Sequence, residues 1–183
     1  MKNGFSLIET LILLAVSVAA LIALVNVFFI FNSLYGYEQA FLKTAGSAGT
    51  AMNALQSSIL QADAVLASST FSGTTYTSTT TSIVLELPAI DASGNLILGA
   101  KDRVAFFASS TKLYRLTAAA GGSARVSGTT TLTSALQSIS FTYSASDVAQ
   151  SASTTVDLQT RLTYKQQVLS AHLREQWYLR NRP

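Results

Sequence analysis

Few side chains in this sequence have the type and spacing to do chemistry, and the most informative is a carboxylate. Glu9 heads an apolar run in which no further charge occurs before Glu38, and residues 11–31 are almost wholly apolar. As a helix, that run crosses a hydrocarbon core of about 30 Å. An acid placed in such a span costs roughly 2.5–3.5 kcal/mol at the bilayer centre, so such residues are paired and functional. Glu9 therefore calls for a cationic partner.

The other candidates do not assemble into a reactive centre. His172 is the only histidine and there is no cysteine, which leaves no second soft ligand for zinc and no thiolate or disulfide chemistry. Asp63, Glu86, Asp91, Asp102, Asp147, Asp157 and Glu175 are spread singly, and no phosphate-cradling glycine loop or nucleophile elbow occurs. Asp91, Ser93 and Asn95 alternate as a calcium loop begins, but Gly94 and the lack of a distal acid make this a hairpin turn. The sequence thus points to no catalytic residues, metal or cofactor, and to a protein that is not an enzyme.

The residues before Glu9 invert the order of a secretory signal, in which a small-residue cleavage site follows the apolar segment. Gly4 precedes it, and only Lys2 supplies the positive flank, so cutting after Gly4 leaves the whole helix attached. Gly4-Phe5-Ser6-Leu7-Ile8-Glu9 resembles the prepilin processing motif of type IV pilins and the pseudopilins of type II secretion and DNA-uptake machines. The resemblance implies cleavage after Gly4 by a prepilin peptidase, N-methylation of Phe5 by the same enzyme, and assembly with other pilin or pseudopilin subunits through Phe5 and Glu9. The new α-amine, with a pKa near 8, adds to the positive end of the helix dipole. It is a suitable cation for Glu9, in the same chain one turn away or, as the family implies, in a neighbouring subunit. The other reading of these residues is an unprocessed signal-anchor with Glu9 at the headgroups.

The elements that carry these residues follow from periodicity. Phe41, Ala45, Ala48, Met52, Leu55, Ile59, Ala62 and Leu66 recur in steps of four and three, which extends the predicted helix over 5–67 and gives it an apolar face to set on a sheet or in a coiled-coil seam. Tyr35 and Tyr37 suit the outer membrane interface. Asn26 stands where many pilins have proline, and Gly46 and Gly49 mark a hinge or a close approach of helix to sheet. Residues 68–81 read as a hydroxyl-rich solvated loop with scope for irregular strand, and 118–134 and 144–155 read as mobile loops.

Alternation then sets Ile83, Leu85 and Leu87 on one strand face up to Pro88, followed by a turn at 91–95 and a hairpin of 103–108 with 112–117. Ile139, Phe141 and Tyr143 share a face, as do Val156, Leu158, Leu162 and Tyr164. The last segment fits a strand better than a helix, with Leu169, Ala171, Leu173, Trp177 and Leu179 inward and His172, Arg174 and Gln176 outward. The fold class is α+β, a long N-terminal helix packed on an antiparallel sheet in a pilin-like ladle. The expected organisation is a leader at 1–4, a transmembrane and assembly helix at 5–32 and a globular domain at 33–183.

Composition narrows the function classes. Of 183 residues, 11% are charged and the formal net charge is +3, falling by one with Lys2, and the basic residues are scattered except near the end, so there is no nucleic-acid footprint. The expected function is that of a structural, minor subunit of a type IV pilus or type II secretion pseudopilus, in the inner membrane with its C-terminal domain outward and lipid as its partner before assembly. Leu113-Tyr114-Arg115 and Leu179-Arg180-Asn181-Arg182 resemble J-class minor pseudopilins and the corresponding minor pilins. Two other readings are a filament-tip adhesin or DNA-uptake module, contacting through its loops and Arg174, Arg180 and Arg182, and an unprocessed membrane-anchored enzyme.

Overall fold

The computed structural model describes residues 6–179, so Gly4, Phe5, Arg180 and Arg182 lie outside the described residues. One helix, α1, spans Leu7–Gln61 and passes through Asn26, Gly46 and Gly49 without a break. The chain divides into two compact units, Met1–Ala40 and Phe41–Pro183. In the first unit every described side chain from Ser6 to Tyr35 is exposed. A helix this apolar with no buried face satisfies its backbone internally and is long enough to cross a membrane.

In the second unit α1 buries Thr44, Ala48, Ala51, Met52, Leu55, Ser58 and Ile59, which fall on one face at steps of three and four. That face belongs to a core built from two antiparallel sheets. The larger has the order β1-β4-β5-β6-β7, with β1 at Ala64–Leu66, β4 at Ser82–Ile90, β5 at Leu96–Ser109, β6 at Lys112–Ala118 and β7 at Gly128–Thr133. The smaller has the order β10-β9-β8, with β8 at Leu136–Tyr143, β9 at Ser153–Tyr164 and β10 at Gln167–Tyr178. Ile83, Leu85, Leu87, Phe106, Leu113, Phe141, Val156, Leu158 and Trp177 meet the helix residues in one cluster. The α+β class and the antiparallel strands therefore stand, as do the hairpin turn at Ser109–Lys112 and the inward face of the last strand.

Five sequence expectations are corrected or refined. The helix stops at Gln61, because the Asp63 amide donates to Glu86 O at 2.8 Å and commits the chain to β1. Ala62 is buried as the stripe expects, but Val65 takes the place in the main core that the stripe gave to Leu66, which packs instead against Val84 and Ala105 on the other face. Residues 68–81 are not a plain loop: β2, Ser68–Phe71, pairs with β3, Thr74–Thr77, across Ser72 and Gly73, both at positive φ as a two-residue hairpin requires. Phe71 closes a second cluster with Val84 and Ala105 on the opposite face of β4 and β5.

Within 118–134, Gly128–Thr133 forms β7 on the edge of the larger sheet, where its run of threonines suits extended backbone. Residues 144–155 are pinned rather than open. A 3-10 turn at Val148–Gln150 is capped by Asp147, and Ser144 Oγ accepts from Ala152 N at 2.9 Å and Ser153 N at 3.1 Å. The close approach proposed for Gly46 and Gly49 is also absent, since a Cβ at either would meet no atom within 4 Å.

Candidate functional site

At the head of α1, Ser6 precedes the first helical residue and its carbonyl accepts the Thr10 amide at 3.2 Å. The Ser6 amide donates to Glu9 Oε2 at 2.9 Å, and the Glu9 amide faces Ser6 Oγ at 3.4 Å. This reciprocal pair is a capping box, which satisfies amides that the first helical turn leaves without partners. The spacing Ser-x-x-Glu before an apolar run is its sequence signature, and the emphasis on charge passed over it. Glu9 therefore has a local partner besides any amine. Thr10 adds a bond from Oγ1 to Leu7 O at 2.8 Å, which turns that hydroxyl back onto the helix.

Beyond the cap, the described part of the span offers no counter-charge: from Thr10 to Tyr37 no residue ionises as an acid or a base except the two tyrosines. Gln39 Nε2 donates to Tyr35 OH at 2.7 Å, tying one of those tyrosines to the next turn. The remaining candidate positions, Gly4 and Phe5, are outside the described residues.

No family model, curated protein or solved structure matches this chain. The functional reading therefore rests on the chain's own residues.

The second unit holds a polar centre that single-residue inspection missed. Asp102 on β5 is fully buried and accepts from Ala120 N at 2.7 Å, Ser123 Oγ at 2.8 Å and Arg125 Nη1 at 2.6 Å. Burial pushes its carboxyl pKa up, but the Ala120 amide, the Arg125 guanidinium and the Ser123 hydroxyl outweigh that and hold it below the usual carboxylate value. Arg125 also donates to Pro88 O at 2.6 Å and Gln61 Oε1 at 2.8 Å, joining the end of α1, the irregular end of β4 and the loop after β6. Arg125 lies in a stretch read from sequence as mobile. Only the fold brings it to Asp102.

The other sequence candidates sit apart. His172 is exposed on β10 and lies 2.9 Å from Asp157 Oδ1 across the strands. Asp91 accepts from Asn95 N at 2.8 Å and Ser93 N at 2.9 Å, and these bonds, chiefly that from Asn95, lower its pKa. Its carboxylate is thus used in closing the turn. Among the described residues no three acids, histidines or cysteines come together as metal ligands would. Tyr143 donates to Ser82 O at 2.9 Å and Thr79 O at 3.0 Å, and burial raises its pKa far above the usual phenol value.

Proposed function

We propose that this chain is a structural subunit of a type IV pilin-like filament, cut after Gly4, N-methylated on Phe5 and held in the assembly by its N-terminal helix. The observation that carries the reading is the pairing of Glu9, the one acid in the span, with a continuous helix whose apolar side chains from Leu7 to Tyr35 are all exposed in the isolated chain. Such a surface needs an apolar environment: lipid before assembly, other helices afterwards. In a bundle, an ammonium from a neighbouring chain meeting Glu9 favours the axial register that joins them, because an unpaired charge there is strongly destabilising. The work of the protein is assembly, and no reaction is assigned to it.

A minor subunit of a pilus or secretion pseudopilus fits best. Its domain carries several hydroxyl-rich surface segments, and the shaft-type proline is replaced by Asn26. Mass spectrometry of the protein from membranes and from sheared filaments is the test, reading the N-terminus and the abundance together. N-methylated Phe5 on a sparse component is expected. Mature protein that keeps Met1 in cells with an active prepilin peptidase would overturn the processing, and a filament composed mainly of this chain would overturn the minor role alone.

A further inference from the structure

The inward face of β6 carries Leu113, Arg115 and Thr117, and at the middle position an arginine stands where the neighbouring pattern calls for a core residue. It opens onto a cavity of about 600 Å³ between the last turns of α1 and the β6–β7 edge, lined also by Ser57, Val126, Thr129 and Thr130. No acidic side chain lines this cavity among the described residues. Arg125, at one side of it, is paired with Asp102 and also donates to Pro88 O and Gln61 Oε1. Arg115 differs: no acid pairs with it among the described residues, and its Nε is enclosed with no hydrogen-bond acceptor.

We infer that this cavity is a binding site for a carboxylate, with Arg115 as its anchor. A guanidinium presents donors in a planar fork that matches a carboxylate in two parallel bonds, and in partial burial its charge is costly unless an anion meets it. One uncompensated positive charge balances one carboxylate, whereas a phosphate dianion would bring excess charge into a site whose other guanidinium, Arg125, is already paired with Asp102 and whose remaining polar groups are neutral. Thr117 on β6 and Thr130, which pairs with Arg115 across the strands, share its face and supply further hydroxyl donors. Val126, 85% exposed at the rim, adds an apolar contact for the group that bears the carboxylate.

The test uses the full chain in detergent micelles at constant ionic strength, with acetate as the probe, acetamide and inorganic phosphate as comparisons, and nitrogen–proton NMR spectra as the readout. Acetate should give a saturable shift of the Arg115 Nε–H resonance and of the Thr129 and Thr130 amides, with acetamide silent and phosphate weaker. Arg115→Gln should raise the half-saturating acetate concentration at least tenfold. Should that variant not fold, Thr130→Tyr on the exposed rim should do the same by blocking entry. A response to acetate no different from that to acetamide, or unchanged affinity in a folded variant of either kind, would overturn the site. Tighter binding of phosphate would overturn the carboxylate assignment.

Discussion

At the scale of single residues, one substitution separates the capping that Glu9 performs from the assembly contact proposed for it. Its carboxylate caps the Ser6 amide, and its charge is free to meet an amine in an assembly. Glutamine retains the capping acceptor and loses the charge. Glu9→Gln should therefore leave membrane insertion and helix content as in the wild type while reducing incorporation into filaments in a competition experiment. Equal incorporation would leave capping as the only role of Glu9. The same scale governs Asp102. Its folded pKa is depressed, so the stability it contributes is complete above the unfolded value near 3.8 and is lost as the pH falls below that value. Arg125→Ala removes the cation from a fully buried acid and should cost about 3–5 kcal/mol at neutral pH. Denaturant titration at pH 7 and pH 3 checks both statements, with the gap between wild type and variant narrowing at the lower pH. Glu9 was legible because nothing else in its surroundings is charged. Asp102 and Arg125 were not, since a pair 23 residues apart leaves no local pattern.

At the scale of elements, the sequence shows what repeats and hides what a partner imposes. The face of α1 and the alternation of Ile83, Leu85 and Leu87 were legible because each packs on one continuous core. The strands β1, β2 and β7 were not, since they are short, β2 and β7 are rich in serine and threonine, and β1 and β7 exist through pairing with strands ten or more residues away. Nor was the tight turn between β9 and β10. Lys165 and Gln166 both have positive φ, 45° and 67°, with neither the glycine nor the asparagine that usually marks such a turn. Holding a long side chain there costs roughly 1–2 kcal/mol per residue, which glycine avoids. Gln166→Gly should thus stabilise the domain by about 1 kcal/mol net of the entropy it adds to the unfolded chain, seen as a higher midpoint of thermal unfolding. A lower midpoint would mean that the Gln166 side chain makes a compensating contact.

At the scale of the whole molecule, the two units obey different solvents. Residues 6–35 expose their apolar side chains in the isolated chain, whereas Phe41–Pro183 gathers α1 from Thr44 onward, both sheets and Trp177 around one core. Area removed from water stabilises that second unit at about 25 cal/mol per Å², and none of that stabilisation depends on the apolar run. The run in turn has no use for water. A fragment of residues 41–183 should consequently remain soluble and monomeric, unfold cooperatively and keep the near-ultraviolet circular dichroism of its single, buried Trp177. The full chain should pellet with membranes and resist extraction by high salt, because an apolar span is held by its surface rather than by charge. A fragment that aggregates or shows no cooperative transition would mean that the first forty residues contribute to the folded core. A full chain that salt releases would remove lipid as its solvent before assembly, and with it the route proposed for bringing Glu9 to a neighbouring helix.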